Sequence, residues 1–273
     1  MSGRGDQGLE ELDAFIGVAA ELADLSGPIL TNRFRRDMTV EAKPDRTPVT
    51  QADRVAEAAM RELIETRYPN HGIVGEEFGR QKDDREFVWV IDPLDGTGAF
   101  LAGLPTFGTL VALCRNGVPI VGLIDHPALG ERWVGAAGRA TLFHGLGEDP
   151  RPARVRACAS LEDAVLYTTS PLLFEGVAAD AFAAVSHTTA TQRFGTDCYG
   201  YAMVAAGHGD LVVEAGMNIH DYLSLVPVVT GAGGLITDWR GAALTMASAG
   251  QVAAAGDGRV HAQALEILGA GAG

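Results

Sequence analysis

The chain has 273 residues, of which 47% are hydrophobic, and its formal net charge is −14. This length allows one large domain or two modest ones with a sizeable core. The negative charge argues against a general binder of nucleic-acid phosphates, since such proteins carry basic patches. We therefore expect no nucleic-acid partner. The acidity fits a carboxylate-rich cation site, or simply a solubilising surface.

The cysteines and the N-terminus indicate a reducing compartment. Cys114, Cys158 and Cys198 are scattered, without the C-x-x-C spacing of a zinc ribbon or the even number of a disulfide framework. The first residues are polar and lack a signal-peptide pattern. No uninterrupted apolar stretch reaches about 18 residues, so we expect no transmembrane helix and a cytoplasmic location.

Two helices are predicted before residue 70. The first is long, because apolar residues recur at helical spacing from Leu12 to Ala23, and Gly27-Pro28 is a possible kink. Residues 36–47 are polar and are expected to form a mobile loop. The second helix has one apolar face from Ala52 to Ile64, with Thr50 as its N-cap and the turn 69–72 as its end.

A run of strands follows, and it predicts an antiparallel or mixed sheet. Asn116-Gly117 separates two of these strands and is a strong signal for a tight hairpin. Consecutive hairpins disfavour a plain βαβ array. The predicted strands cover residues 72–75, 87–91, 107–114, 118–125 and 133–136.

Residues 145–154 are rich in glycine, proline and charge, and they predict a domain boundary. We place an N-terminal subdomain at 1–150 and a C-terminal subdomain at 151–273. The second half alternates between strands and helices, and a helix that starts near Asp221 is capped by the glycine-rich run 231–234. The other predicted elements are strands at 165–169, 211–214 and 235–237 and helices at 201–206 and 260–269, followed by a disordered tail.

The most informative motif is Asp92-Pro93-Leu94-Asp95-Gly96-Thr97, which follows the apolar strand 87–91. Pro93 lacks an N–H and should end the regular strand there. The two carboxylates then lie where a strand leaves the core, an arrangement that suits a small hard cation. The following Gly-Thr pair offers backbone N–H groups to a phosphate. The motif therefore predicts metal-assisted phosphate chemistry.

Further acids accompany this motif. Glu76 and Glu77 follow a predicted strand, Asp53 lies in the first turn of the second helix, and Glu214 ends a strand. Asp221 opens the late helix. Each is explained singly as a helix-start acid or a solvated side chain, Glu77 above all, but acids at strand ends and helix starts tend to share one edge of a sheet.

His220, next to Asp221, is interpreted as an ordinary packing or hydrogen-bonding residue, because neighbouring residues on a helix point in different directions.

These motifs together resemble the inositol monophosphatase superfamily of magnesium-dependent phosphatases, over residues 10–265. Within it, the segments 193–199 and 221–229 are similar to histidinol-phosphate phosphatases. The resemblance implies an α+β fold, a layered α-β-α-β-α sandwich of the sugar-phosphatase type with mixed or antiparallel sheets. It also implies a homodimer and two or three Mg²⁺ ions, for which Mn²⁺ substitutes.

The resemblance also assigns site residues. The metal ligands it implies are Glu76, Asp92, Asp95, Asp221 and the carbonyl of Leu94.

Gly96 and Thr97 match the phosphate-contacting turn, and Asp53 with Thr97 matches the pair that orients and deprotonates the attacking water, a catalytic role shared with Glu76. Glu214 matches a contact on the leaving-group side. We expect Asp197 and Arg193 to join it there.

Gly98-Ala99 replaces the polar or basic residues usual in the family, which lowers phosphate affinity or signals another substrate.

The leading hypothesis is a Mg²⁺-dependent phosphomonoesterase that converts L-histidinol phosphate to L-histidinol and phosphate by metal-activated water attack. The alternatives keep the chemistry and change the ester, to inositol 1-phosphate, a sugar bisphosphate or a nucleotide-type substrate in a specialised pathway. An alternative of another class is an inactive regulator that binds metal and phosphate.

Overall fold

Two larger β-sheets and three layers of helices form the part of the chain that this computed structural model describes, residues 3–36, 40–42 and 48–269. The helices are α1 (Gly3–Thr31), α2 (Gln51–Arg67), α3 (Thr97–Leu101), α4 (Gly176–Thr188), α5 (Asp197–Ala205), α6 (Ile219–Tyr222), α7 (Leu225–Gly231) and α8 (Gly258–Leu268).

The strands fall into one eight-stranded sheet, one five-stranded sheet and a separate pair. They are β1 (Val40–Ala42), β2 (Pro48–Thr50), β3 (Gly72–Gly75), β4 (Gly79–Gln81), β5 (Phe87–Asp95), β6 (Gly108–Arg115), β7 (Val118–His126), β8 (Glu131–Ala136), β9 (Leu142–His144), β10 (Arg151–Pro152), β11 (Val165–Thr168), β12 (Thr191–Phe194), β13 (Leu211–Glu214), β14 (Leu235–Thr237) and β15 (Val252–Ala255).

The large sheet has the order β10-β9-β8-β7-β6-β5-β3-β4. Only the β3–β5 pair is parallel, and the strands from β5 to β10 form an antiparallel meander. The predicted Asn116-Gly117 hairpin joins β6 to β7 and is confirmed. The small sheet, β12-β11-β13-β15-β14, combines parallel and antiparallel pairs.

The hydrophobic contacts define five layers. Helices α1 and α2 pack on one face of the large sheet, where Phe15, Leu22 and Met60 meet Trp89. Helices α5 to α7 lie between the two sheets, and α4 and α8 cover the outer face of the small sheet. The layered α-β-α-β-α arrangement with mixed sheets confirms the predicted fold class.

Strand β5 differs from the prediction, because it continues past Pro93 to Asp95. The register shifts between Asp92 and Asp95, so that two residues of β5 lie opposite Thr109 alone. The Thr109 hydroxyl donates to the Pro93 carbonyl at 2.8 Å, inside this bulge. Proline therefore interrupts the regular pairing without ending the strand.

The predicted late helix is two short helices, α6 and α7, and it starts at Ile219 instead of Asp221. Pro227 has no N–H to donate to the carbonyl of Leu223, four residues before it, which accounts for the interruption at residues 223–224. The predicted glycine cap is confirmed: Gly234 N–H donates to Val229 and Gly233 N–H to Thr230.

Residues 40–42, which the sequence predicted as part of a mobile loop, pair with β2 as strand β1. The rest of that loop after residue 36, the side chain of Thr50 and the tail after residue 269 lie outside the described residues. The domain boundary at residue 150 stays a prediction. Strand β10 still pairs with β9, so the chain leaves the large sheet after Pro152.

Among the described residues, one helix, 8–31, is long and apolar enough to cross a membrane by length and composition, which the sequence reasoning had not expected. Its most apolar window is 44% buried within the fold, where Phe15 and Leu22 contact the large sheet. The core helix of a soluble protein passes the same test.

Candidate active site

Three aspartates converge where β5 meets the start of α6. One carboxylate oxygen from each of Asp92, Asp95 and Asp221 lies within 4.8 Å of the other two. Asp92 is 2% exposed, and the other two are partly buried. We call these three residues and Glu76 the carboxylate cluster.

The β5 bulge orients the first two aspartates. The Leu94 N–H donates to Asp92 Oδ1 at 2.9 Å, and the Thr97 hydroxyl donates to the Leu94 carbonyl at 3.1 Å. The N–H of Cys198, in the first turn of α5, donates to Asp95 Oδ2 at 2.8 Å. These backbone hydrogen bonds fix the carboxylates while leaving oxygen lone pairs available to a cation.

Asp221 belongs to a capping box at the start of α6. The Asn218 N–H donates to Asp221 Oδ2 at 2.7 Å, and the Asn218 side chain accepts from the backbone of Asp221. This reciprocal pair folds the Asp221 carboxylate back over the helix N-terminus. The same fold brings Asp221 Oδ1 to 3.3 Å from His220 Nε2.

Glu76 forms a second group with Asp92 and His220, whose ligand atoms also lie within 4.8 Å of one another. The interpretation of His220 as pointing away from the site is therefore wrong. Helical spacing gave the wrong direction, because the capping box turns the Asp221 carboxylate towards its neighbour.

Glu57 supports the turn that carries Glu76, and sequence reasoning missed it. Glu57 is fully buried and accepts from the N–H groups of Glu77 at 2.7 Å and Phe78 at 3.1 Å. Arg61 donates to Glu57 Oε1 at 2.8 Å and to the Gly79 carbonyl at 2.5 Å.

Gly75 lies directly against the Glu57 carboxylate, where a Cβ would overlap it. We call Glu57 and Arg61 the α2 clamp. Its signal in the sequence was a Glu–Arg pair at i,i+4 within an apolar helix face.

The interpretation of Glu77 as a solvated residue is also wrong. Its side chain is only 3% exposed and lies 4.0 Å from the Arg54 guanidinium. The carboxylates on either side of this turn thus have different surroundings, Glu76 among acids and Glu77 beside a cation.

Burial and mutual repulsion shape the electrostatics of the carboxylate cluster. Burial raises the pKa of Asp92 well above its ordinary value, and the nearby charges of Glu76 and Asp95 add to the rise. Burial raises the pKa of Asp95 to about 7, with a contribution from Asp221. Such closely spaced like charges are stabilised by a bound cation.

An acidic cavity of about 180 Å³ adjoins the cluster. Its lining includes Asp95 and Asp221 of the cluster, together with Asp197, Glu214 and Thr169. A larger cavity of about 460 Å³ lies elsewhere, beside α1 and β8, but its Arg132 is already paired with two aspartates. Convergent chemistry, rather than volume, identifies the candidate site.

Glu214 and Asp197 are the distinctive groups of the acidic cavity. Glu214 is 2% exposed and accepts from the Thr169 N–H at 2.6 Å, and burial raises its pKa to about 7. Burial, together with the charge of Asp95, raises the pKa of Asp197 to about 7. Both acids retain a capacity to accept a cationic partner.

Gly96 and Asp197 meet between the two sheets. Gly96 has φ 77°, in the left-handed region that favours glycine, and a Cβ there would lie 3.0 Å from Asp197 Oδ2. Gly96 thus serves the turn into α3 and also the close approach of α5.

The other predicted site residues lie in different surroundings. Asp53 is fully buried in the first turn of α2, and Thr97 begins α3 directly after the cluster. Arg193 is exposed on edge strand β12, donates to the Gln192 carbonyl and does not line the acidic cavity. Phe100, two residues after the unusual Gly98, packs in an apolar cluster with Phe107.

The donor set of the cluster fits a divalent cation. Buried carboxylate oxygens within a few ångströms of one another are the ligands that hard cations prefer, and a cation offsets their repulsion. A site of this kind, open to a small cavity, is suited to neutralising a bound phosphate ester.

Comparisons with known proteins show which family this chain resembles. The model of the inositol monophosphatase family matches residues 11–270. Bifunctional phosphatase IMPL2, chloroplastic, from Arabidopsis thaliana is 46% identical over 94% of this chain and 76% of its own length. A histidinol-phosphatase from Mycobacterium tuberculosis is 35% identical over 93% of this chain and 97% of its own.

Solved structures extend the likeness to the fold. An inositol monophosphatase from Zymomonas mobilis superposes with a TM-score of 0.86, at 41% identity, over 94% of this chain and 98% of that one. The chain therefore belongs to the inositol monophosphatase family and is a phosphoric monoester hydrolase.

Proposed function

We propose that this phosphomonoesterase hydrolyses L-histidinol phosphate to L-histidinol and phosphate with the help of Mg²⁺. The observation that carries the proposal is the acidic cavity beside the carboxylate cluster, which is lined by Asp197 and Glu214 and is the proposed place of the leaving group. An ester whose alcohol bears an ammonium and an imidazole is complementary to such a cavity.

The proposed metal ligands are those of the sequence prediction. Glu76, Asp92, Asp95 and Asp221 are the proposed carboxylate ligands, and the Leu94 carbonyl, in the β5 bulge, is the further proposed ligand. Two or three Mg²⁺ ions, or Mn²⁺ in their place, supply charge neutralisation of the phosphate, activation of water and stabilisation of the departing oxygen.

The chain's own groups complete the proposed chemistry. Gly96 and Thr97 begin α3 next to the cluster and are the proposed phosphate contacts. Thr97, Asp53 and Glu76 are proposed to orient the attacking water and take its proton, a contribution of about 10²–10⁴-fold. Arg193 stays a predicted substrate contact only, because it does not line the acidic cavity.

The leaving-group assignment depends on the surroundings of two carboxylates, which consist of neutral donors and other acids. Glu214 accepts from a neutral backbone N–H, and Asp197 lies beside other acids. A cationic alcohol group therefore gains charge-assisted hydrogen bonds there, which are about twice as strong as neutral ones. Inositol offers only neutral hydroxyls to the same groups.

The relatives support two candidate esters. Histidinol-phosphatases of three organisms match this chain at 33–35% identity, over 82–93% of its length. The Zymomonas mobilis structure favours inositol 1-phosphate as the second candidate. The intact carboxylate cluster argues against the inactive regulator considered from the sequence. The homodimer and the cytoplasmic location stay predictions.

One experiment tests both the metal and the substrate. Phosphate release is measured from L-histidinol phosphate, inositol 1-phosphate, a sugar bisphosphate and an adenosine bisphosphate, each with Mg²⁺ and with EDTA. We expect the highest kcat/KM for L-histidinol phosphate and no turnover in EDTA. Equal or faster turnover of inositol 1-phosphate would remove the histidinol assignment, and full activity in EDTA would remove the metal.

A further inference from the structure

We infer that His220 is a nitrogen ligand to the cation held by Glu76 and Asp92, so that one metal position of this enzyme has a mixed nitrogen and oxygen donor set. The inference rests on the proposed metal dependence. It concerns a residue that the sequence motif leaves outside the carboxylate ligands.

The geometry of the three donors carries the inference. One ligand atom from each of Glu76, Asp92 and His220 lies within 4.8 Å of the other two, a limit that the three aspartates also meet. Asp92 belongs to both groups. It is therefore placed to bridge an all-oxygen position and a position that includes an imidazole.

The elements around His220 hold it at this point. His220 lies in α6, a helix of four residues whose first turn is fixed by the capping box of Asn218 and Asp221. Its side chain is 14% exposed, and Glu76 comes to it from the turn that the α2 clamp secures. The three donors thus belong to three elements that are each fixed by buried or backbone hydrogen bonds.

An open groove provides access to this position. His220 lines a groove of about 310 Å³ together with Gly75, Arg80 and Ser248. The acidic cavity has a different lining, which includes Asp221 but not His220. A cation and its waters thus have an entry path that the leaving group does not occupy.

The chemistry of imidazole predicts a change in metal preference. Nitrogen ligands bind first-row transition metals more strongly than Mg²⁺, which prefers oxygen. His220 should therefore raise the affinity for Co²⁺ and Mn²⁺ relative to Mg²⁺.

A purely positioning role has a different signature. His220 Nε2 lies 3.3 Å from Asp221 Oδ1, and the alternative role of His220 is only to hold that carboxylate in place. Loss of a positioning residue would weaken oxygen-ligated Mg²⁺ and Co²⁺ by similar factors. Loss of a nitrogen ligand would weaken Co²⁺ selectively.

The test measures binding of Co²⁺ and of Mg²⁺ alone by calorimetry, with no substrate present. The protein is compared with His220→Phe, which keeps a ring, with His220→Gln, which keeps a polar group, and with His187→Ala on exposed α4 as a control. We expect both His220 variants to lose at least about tenfold in Co²⁺ affinity and less than about threefold in Mg²⁺ affinity.

Proton NMR of the Co²⁺-loaded protein gives an independent readout. We expect one set of strongly shifted imidazole signals in the parent protein and in His187→Ala, and none in the His220 variants. Equal losses for both metals, or shifted signals that persist without His220, would overturn the inference and leave the proposed function standing. Absence of any divalent binding by the parent protein would overturn both.

Discussion

The carboxylate cluster and the acidic cavity are both built from buried and partly buried acids, but these acids come from different arrangements of the chain. Asp92 and Asp95 come from one bulge, three residues apart, on the large sheet. Asp197 and Glu214 come from the start of α5 and the end of β13, on the side of the small sheet. Under the proposed function, phosphate chemistry and leaving-group recognition would therefore rest on separate elements of the fold, and we expect that each can be changed separately.

The largest expected effect comes from a substitution in the carboxylate cluster. Replacing Asp92 by Asn removes the charge shared by both metal groups while keeping the side-chain shape. We expect kcat/KM to fall by at least about a thousandfold for every phosphate ester, because several kcal/mol of charge stabilisation are lost. Phosphate release at saturating Mg²⁺ measures it.

Asp149→Asn, in the exposed loop before β10, is the matched control and should leave turnover unchanged. Undiminished activity of Asp92→Asn would mean that the metal site lies elsewhere.

The next effect concerns the support of the cluster. Glu57→Ala leaves Arg61 buried without its carboxylate, and we expect the free energy of unfolding to fall by about 3–5 kcal/mol. The N–H groups of Glu77 and Phe78 lose their acceptor, so divalent cations should also bind more weakly. Urea denaturation and calorimetry measure the two effects.

Glu62→Ala, on the exposed face of α2, provides the comparison for Glu57→Ala. An unfolding free energy of Glu57→Ala within about 0.5 kcal/mol of that control would show that the α2 clamp does not stabilise the fold.

A smaller effect is expected from a substitution in the acidic cavity. Glu214→Gln keeps the shape and the acceptor for the Thr169 N–H but removes the charge. We expect kcat/KM for L-histidinol phosphate to fall about 10–100-fold, the loss of one or two charge-assisted hydrogen bonds. Inositol 1-phosphate should change by less than about threefold, because its hydroxyls are neutral.

Glu266→Gln is the control for this experiment, since it removes an exposed charge on α8, far from Glu214 in the sequence. Equal losses for the two esters would separate Glu214 from leaving-group selectivity.

The sequence predicted those parts of the molecule whose cause is local. The acidic motif on β5, the Asn116-Gly117 hairpin and the glycine cap of α7 depend on turn chemistry and on residues close together in the chain. The layered fold followed from the family resemblance that the motif carries.

Elements decided by tertiary packing were missed. Strand β15 reads Val-Ala-Ala-Ala, which does not resemble a strand, yet it is fully buried between β13 and β14. Helix α4 has a weakly amphipathic, alanine-rich sequence and is secured by contacts of Phe182 and Val185 with the outer core. In both cases packing overrides local propensity.

The predicted direction of the His220 side chain was wrong for a related reason. Helical spacing predicts where a Cβ points, but the capping box determines where the Asp221 carboxylate lies. Likewise, the i,i+4 pair of Glu57 and Arg61 is visible in the sequence, while its contact with the turn after Gly75 is not. Residues able to bind a metal could therefore be identified from the sequence by their residue type. The contacts that support them are visible only in the structure.

The smallest expected effect compares the two regions through pH. Burial raises the pKa of Asp95, Asp197 and Glu214 to about 7, from ordinary values of 3.8, 3.8 and 4.5. Between pH 4 and 7 the folded protein thus holds protons that the unfolded chain has released, so stability without metal falls as pH rises through this window. We expect Tm in EDTA to drop by at least roughly 5 °C from pH 5 to pH 8.

Saturating Mg²⁺ should reverse the trend, because the cation favours the ionised carboxylates and must displace their protons at low pH. Differential scanning fluorimetry in EDTA and in Mg²⁺ measures both slopes. Asp95→Asn should flatten the slope in EDTA and lose most of the Mg²⁺ stabilisation, whereas Glu214→Gln should flatten the slope and keep that stabilisation. Identical behaviour of the two variants would mean that cluster and cavity act as one site.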